Sequence, residues 1–424
     1  MNKIGRDRRG RSLFAVVAGV ALASLLAACS ASSAGGTSAS AAATGSSGSG
    51  GTITVGFDNS LTGSNAAFGR AELALTQGAV DYVNSTDGGK GPQIVLKSMD
   101  SGEIGSGEAA ANTTQLHQDG AVAILGPTVS NDCVAVQPIV DADQIPDFCN
   151  FADSSQLESA SSYIFEGDGF ETGLVSPMVQ FLKAQTGNAS PKLAVLTNYS
   201  LGATDFGEKF NNVAKAEGVS IVYSGTMSQS ATSVASYASQ IAASKPDAVV
   251  AEVFPAFVKP LVQGLRGAGI TVPIVTTIAS ADYPILASLK DPKVFTTEGA
   301  SMLIPGQAGN TPQVTALLAG LAKAGLTTAS QINADDGPTM LSTDLYVLET
   351  LKACGQSCTG AELVQQMEAK PFSLPGLVTN MQYTATNHSD HTTYQFWGWD
   401  PSTGAAADPG NKTYPAGSLS MTTP

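Results

Sequence analysis

Apolar and polar positions change period repeatedly along this chain. "TITVGF" (Thr52–Phe57) reads as a buried strand. "NAAFGRAELALTQGAVDYVN" (Asn65–Asn84) has helical spacing, with Phe68, Glu72, Leu75, Ala79 and Val83 on one side, all apolar but Glu72. The same reading gives a strand at "QIVLKSM" (Gln93–Met99), a helix over 105–118, a strand at "AVAIL" (Ala121–Leu125), a helix over 132–143 and a strand at "PDFCN" (Pro146–Asn150). Repeated β-α-β predicts a parallel sheet covered by helices. The pattern then restarts: strands at Lys192–Thr197, Val219–Gly225, Asp247–Val253 and Val272–Thr277 alternate with helices over 204–217, 233–244 and 256–268. Helices near 311–324, 338–353 and 360–369 follow, then strands at "GLVTNMQYT" (Gly376–Thr384) and "TYQFWGWD" (Thr393–Asp400). The fold class is α/β, two doubly wound parallel-sheet lobes. The elements left over after two sheets imply that the chain crosses back to complete both. Ligands bind beyond the carboxyl ends of such strands, and two facing edges make a cleft.

The N-terminus has a different logic. Lys3, Arg6, Arg8, Arg9 and Arg11 precede an uncharged run from Leu13 to Ala28, about the length of a signal-peptide apolar region and too short for a comfortable membrane span. Leu26-Ala27-Ala28-Cys29 resembles the bacterial lipoprotein box, in which the cysteine is acylated and becomes the new N-terminus; an ordinary secretory peptide cut beside an incidental cysteine is the alternative. Arg8-Arg9 hints at twin-arginine export, but Gly10-Arg11 fits that signal poorly. From Ser30 to Gly51 every residue is Ser, Ala, Gly or Thr, which cannot bury enough apolar surface to fold. Such a coil reaches about 25 Å and holds the folded part clear of a membrane.

Composition narrows the classes further. With 424 residues there is room for two ordinary domains beyond the tether. A net charge of −14, without a basic cluster outside the export signal, argues against nucleic acid. Setting Cys29 aside leaves four cysteines, which in an oxidising compartment are expected as two disulfides, Cys133 with Cys149 and Cys354 with Cys358. Neither spacing is that of a zinc site, and no cofactor is expected. There is no G-x-S-x-G, no H-E-x-x-H and no complete G-x-G-x-x-G, because the run from Gly167 to Thr172 fails at its last place. His388-Ser389-Asp390-His391 reads as a polar turn more readily than as a metal ligand set, and His117 as a surface residue on a helix. No catalytic residue is expected.

"ITVGFDNSLTGSNAAFGRAELALTQGAVDYVNS", "AVAILGPTVSND" followed by "IPDFCNFADSSQL", then "SYIFEGDGFETG" and "DFGEKF…AEGVSIV…SKPDAVVAEVFPAFVKPLVQGLRGAGI" together resemble the branched-chain amino acid binding family, the type I periplasmic solute-binding fold of ABC importers. The resemblance implies two lobes joined by three hinge strands that close over one small molecule. On this chain the parts are a signal peptide (1–28), lipidated Cys29 and tether (29–51), a first lobe (52–166 plus 305–375) and a second lobe (167–304 plus 376–424). It also implies an ABC permease and ATPase as partners, a lipid holding the protein to the outer face of the cell membrane, and a monomer. A sensory receptor of the same fold is the rival reading; an enzyme using Asp153 or Ser130 would require turnover.

Gly126 to Asn131 ends a strand and opens a helix, so backbone N–H groups and the Ser130 hydroxyl suit an anion, with Thr128 and Asn131 alongside. The resemblance puts the ligand carboxylate on Ser130; capping of the helix by Ser130 or Asn131 is the alternative. Other positions depart from the family. Its second carboxylate-gripping loop falls on Phe151 and Asp153, so either Asp153 faces away and Ser154 or Ser155 donates, or the ligand is not a simple α-amino acid. Family tyrosines fall on Phe68, Phe206 and Phe254, and the acidic partner of the ligand ammonium falls near Ile278. Tyr199, Asp205 and Glu252 are further polar candidates. These departures predict a small aliphatic or aromatic acid, amide or related amphipathic solute rather than free leucine, isoleucine or valine.

Overall fold

The computed structural model describes residues 50–424, apart from Ser64, 158–161, 168–170, Gln229, Ile278, Asp282, 300–310, Ala324, 326–336, 390–392, 410–411 and 418–424. Cys29, the signal segment and nearly all of the tether therefore lie outside the described residues, as do Ile278, Asp390 and His391.

The first lobe opens with β1 (Thr52–Asn59), α1 (Ala66–Ser85), β2 (Gln93–Asp100), α2 (Glu108–Gln118), β3 (Ala121–Leu125), α3 (Ser130–Asp143), β4 (Asp147–Phe148) and β5 (Ile164–Phe165). Its sheet has the order β2-β1-β3-β4-β5 and is parallel throughout. The second lobe follows with α4 (Glu171–Thr186), β6 (Lys192–Thr197), α5 (Leu201–Ala216), β7 (Ser220–Thr226), α6 (Ala235–Ser244), β8 (Ala248–Glu252), α7 (Pro255–Gly267), β9 (Ile274–Thr276), α8 (Tyr283–Leu289) and β10 (Val294–Gly299). The chain then gives α9 (Pro312–Lys323), α10 (Gly337–Cys354), α11 (Gly360–Ala369) and the antiparallel pair β11 (Phe372–Leu374) and β12 (Val378–Met381), and ends in β13 (Thr393–Asp400), β14 (Ala405–Ala407) and β15 (Thr413–Pro415). The second sheet runs β14-β13-β10-β9-β8-β6-β7, with β15 also on β13. It is parallel from β7 to β10, and β13 to β15 join antiparallel. The four second-lobe strands expected as a parallel set are parallel, and β13, on which the chain crosses back, joins the far edge antiparallel.

The period of two along each strand divides the cores. Ile53, Val55 and Phe57 pack with Leu75, Ala79, Leu345 and Leu348, under α1, α9 and α10. Ile124 faces the other way, toward Leu116 of α2. In the second lobe Leu193 and Val195 pack toward α4 and α5, while Ala194 and Leu196 pack toward α6 and α7. Strands buried on both faces read as continuous apolar runs, and each fully buried side chain of this size contributes about 1.5–3 kcal/mol.

The lobes are joined where Glu166 and Ser389 run side by side, the Glu166 N–H donating to the His388 carbonyl at 2.9 Å. Glu298 at the end of β10 accepts from Thr339 of α10 at 3.2 Å, tying the second sheet to a first-lobe helix. Leu377, Val378, Met381 and Tyr383 pack in the first lobe's core, with Tyr383 against Phe165 and Tyr346. The return to the second lobe therefore comes after Tyr383, later than the 375/376 boundary read from the sequence, because β12 pairs with β11 instead of extending into the hinge.

Candidate functional site

Both sheets repeat one strand order, second-first-third-fourth-fifth, so each has a switch point between its first and third strands where the following loops part. In the first lobe these loops are 59–65 and 126–131; in the second they are 198–200 and 253–254. The sites of interest sit on them.

The first-lobe floor is locked from beneath. Glu72 of α1 is fully buried, and its carboxylate accepts from the Asn59 amide and from the Thr128 hydroxyl, the latter at 2.9 Å. Asn59 also donates to Thr128 Oγ1 at 2.6 Å and accepts from the Ser60 N–H at 2.8 Å. Thr128, expected to line the cleft, is turned down into this network and supports it. Gly126 takes φ +89°, and a Cβ there would run into the Asp58 carbonyl oxygen, so only glycine fits the turn. Glu252 plays the matching part at the end of β8. It accepts from the Thr277 hydroxyl, from Ser280 Oγ at 2.8 Å and from the Asn198 amide at 3.2 Å.

Ser130 is the first residue of α3, and neither its side chain nor Asn131's caps that helix. The Ser130 hydroxyl donates to Asp153 Oδ1 at 2.7 Å and accepts from the Asp153 N–H at 3.0 Å. Of the two alternatives for Asp153, facing away is not the one adopted: it lies on Ser130 and against the second lobe, where a Cβ added to Gly202 would overlap its carboxylate. Asn131 Oδ1 accepts from the Leu201 N–H at 3.4 Å. In the opposite direction Asp205 of α5 accepts from Ser154 Oγ at 3.0 Å, the Ser155 N–H at 2.7 Å and Ser155 Oγ at 2.8 Å. Each lobe thus hands a carboxylate to the other. Ser154 and Ser155 donate to protein in this arrangement.

Phe68 and Phe151 pack edge to face at 5.5 Å on the first lobe, and Tyr199 and Phe254 do the same at 5.2 Å on the second. Phe151 stands two residues before Asp153, and Tyr199 two before Leu201, so each pair adjoins an interlobe contact. Burial, and then Glu103 of the first lobe, raise the Tyr199 hydroxyl's pKa. Phe206 is different. It is fully buried in the second-lobe core with Phe210, Val213 and Ala214, which removes it from the cleft. The spacing of these four residues is a helical stripe, and that signal was present in the sequence. Sequence reasoning missed Glu72, Asn198, Thr277, Ser280 and Gly202, which act through other side chains or through the absence of one.

Cys133 is joined to Cys149 beside the cleft and Cys354 to Cys358 away from it, with Cα–Cα distances of 6.2 and 5.5 Å. The metal-like grouping among the described residues is Cys354, Cys358 and Glu362, whose sulfurs the disulfide consumes. His117 pairs with Asp143 at the surface. His388 is buried in the hinge, stacked on Phe165 and bonded to Glu368 at 3.1 Å. No described helix is long and apolar enough to cross a membrane.

The interlobe bonds give a direct expectation. Asp205→Asn keeps the shape but removes the charge that accepts three donors, and should weaken the closed arrangement by about 1–3 kcal/mol. X-ray scattering should report a larger radius of gyration for the variant than for wild type. Identical scattering would mean that Asp205 contributes nothing to closure.

The periplasmic binding protein family model matches residues 52–405. Among solved structures, the solute-binding protein of an ABC transporter from R. palustris in complex with 4-hydroxybenzoate is 18% identical, with a TM-score of 0.70 over 86% of this chain and 97% of that one. The branched-chain amino acid transporter substrate-binding protein of Streptococcus pneumoniae, in complex with isoleucine, is 20% identical, with a TM-score of 0.67 over 86% and 99%. A leucine binding protein from Thermotoga maritima is 16% identical, with a TM-score of 0.67 over 86% and 99%. At such identities the likeness is one of fold. No curated protein sequence matches the chain.

Proposed function

We propose, from the premise that the chain belongs to the periplasmic binding protein family, that it is the lipid-anchored receptor of an ABC importer and captures one small amphipathic organic solute between its lobes. That family consists of extracytoplasmic solute receptors for transport and not of enzymes. The observation that carries the proposal is that each lobe bears an aromatic pair close to its interlobe contact, Phe68 with Phe151 and Tyr199 with Phe254, in lobes already linked through Asp153 and Asp205. Rings without hydroxyls at Phe68, Phe151 and Phe254 grip by apolar area, at about 25 cal/mol per Å². Relatives of the same fold hold 4-hydroxybenzoate and isoleucine, so solutes of this size suit the scaffold. A solute touching both lobes shifts the population toward the closed state by its differential affinity, and the permease reads that state. Cys29 carries the lipid, and the tether after it lets the receptor work as a monomer at the membrane's outer face.

Two measurements test this. Small molecules released by denaturing the purified protein and identified by mass spectrometry should include one organic solute in near-stoichiometric amount; none at all would count against the reading. Cys29→Ser should move the protein from the detergent phase to the aqueous phase on partitioning. Equal partitioning of variant and wild type would remove the lipid anchor.

A further inference from the structure

The geometry points to Asp153 as an internal carboxylate that fills the anion position of the cleft, so that the ligand's polar end is an amide, hydroxyl or ammonium group and not a carboxylate. This rests on the reading of the cleft as a small-solute site. Two helices begin at the place where Asp153 sits: α3 at Ser130 and α5 at Leu201. The Leu201 and Ala203 N–H groups are taken by Asn131 Oδ1 and Ser200 Oγ, and what both helix starts still offer is the positive end of the macrodipole, which suits a negative group. Here the protein supplies that group itself. Asp153 is 8% exposed, accepts the Ser130 hydroxyl at 2.7 Å and lies directly against Gly202, the second residue of α5. The glycine is needed for this, since any Cβ would displace the carboxylate.

Charge around the cleft points the same way. The segments at the strand ends of both lobes are 59–65, 100–107, 126–131, 149–157, 198–205, 226–233, 252–256 and 276–282. In sequence they contain no Lys, Arg or His, yet they carry Asp100, Glu103, Asp153, Asp205, Glu252 and Asp282. A ligand carboxylate desolvated beside Asp153 would meet a like charge there, which is costly; Arg70, a cation that does reach a cleft loop, is exposed and holds the Leu61 carbonyl at 2.8 Å. An amide or hydroxyl avoids that cost. An ammonium gains from it, and the ring faces near Phe151 and Tyr199 add cation–π attraction.

Thermal shift and calorimetry with two matched series test the inference: benzoate, benzamide and benzylamine, and isoleucine with isoleucinamide. Binding to the folded state raises the unfolding midpoint in proportion to ln(1 + [L]/Kd). In wild type the amide or amine of a series should bind at least about tenfold more tightly than its acid. Asp153→Asn, which keeps the shape and removes the charge, should bring the acid to within about threefold of the amide. An acid that binds best to wild type overturns the inference and leaves the solute-receptor reading intact, as does an acid-to-amide ratio unchanged in Asp153→Asn. If no member of either series binds either protein, the small-solute reading falls and takes this inference with it.

Discussion

Thermal unfolding will show a higher midpoint at pH 5 than at pH 8. The cause is a set of carboxyls that folding removes from water. Burial pushes Asp58 and Asp344 up to about 7 from an ordinary value of 3.8. Asp147 is raised well above its ordinary value too, through its own burial and then the neighbouring Asp58. For Asp58 the Asn112 amide bond pulls the other way, and the charges of Asp132 and Asp100 add to the rise. Between about pH 4 and pH 7 the folded state holds protons that the unfolded chain has released, so stability falls as pH rises through that window and levels off above it. A rise of about three pH units corresponds to at most about 4 kcal/mol per group, and Asp58 and Asp147 do not add independently. Surface carboxylates whose values are lowered, such as Asp100 and Asp400, lose their stabilisation only at pH below the ordinary range, outside the window. Asp344 isolates the effect. It is fully buried in α10, with one oxygen accepting from Thr76 at 2.7 Å. Asp344→Asn should therefore raise the midpoint at pH 8 and flatten the slope between pH 5 and pH 8. Calorimetry decides the matter: a wild type as stable at pH 8 as at pH 5 contradicts the argument.

Replacing both Cys133 and Cys149 by alanine will cost about 3 kcal/mol, more than the same change at Cys354 and Cys358, which will cost about 2 kcal/mol. Sequence separations of 16 and 4 set that order, because a longer loop loses more entropy when it is closed in the unfolded chain. The first bridge has a second consequence. It joins the opening turn of α3 to the segment that carries Phe151 and Asp153, so its loss should also weaken ligand binding, while loss of the Cys354–Cys358 bridge should not. Urea unfolding of the two double variants, with calorimetry against whatever solute the wild type carries, separates these effects. Equal losses of stability with unchanged affinity in both would confine the Cys133–Cys149 bridge to a general role.

The alternation of short apolar strands with amphipathic helices was enough to predict two α/β units and the cleft between their strand ends, because period and turn chemistry are local properties. The proposed processing signal around Cys29 is likewise read from consecutive residues alone. Side-chain direction is not local in this way. Thr128, Phe206 and Phe254 are all cleft candidates in the sequence, yet Thr128 turns under the loop to Glu72 and Phe206, inside α5, joins a helical core stripe, while Phe254 packs on Tyr199. Which of these occurs depends on the phase of the helix and on partners as distant as Glu72. The hairpin at 372–381 and the antiparallel entry of β13 likewise depend on which sheet edge is free when the chain returns. Asp153 shows the division most plainly. The sequence by itself determined that a carboxylate, Asp153, stands where the family's second carboxylate-gripping loop falls. Only the tertiary structure decided that this carboxylate occupies the helix starts of both lobes, because Gly202, which makes room for it, belongs to the other lobe.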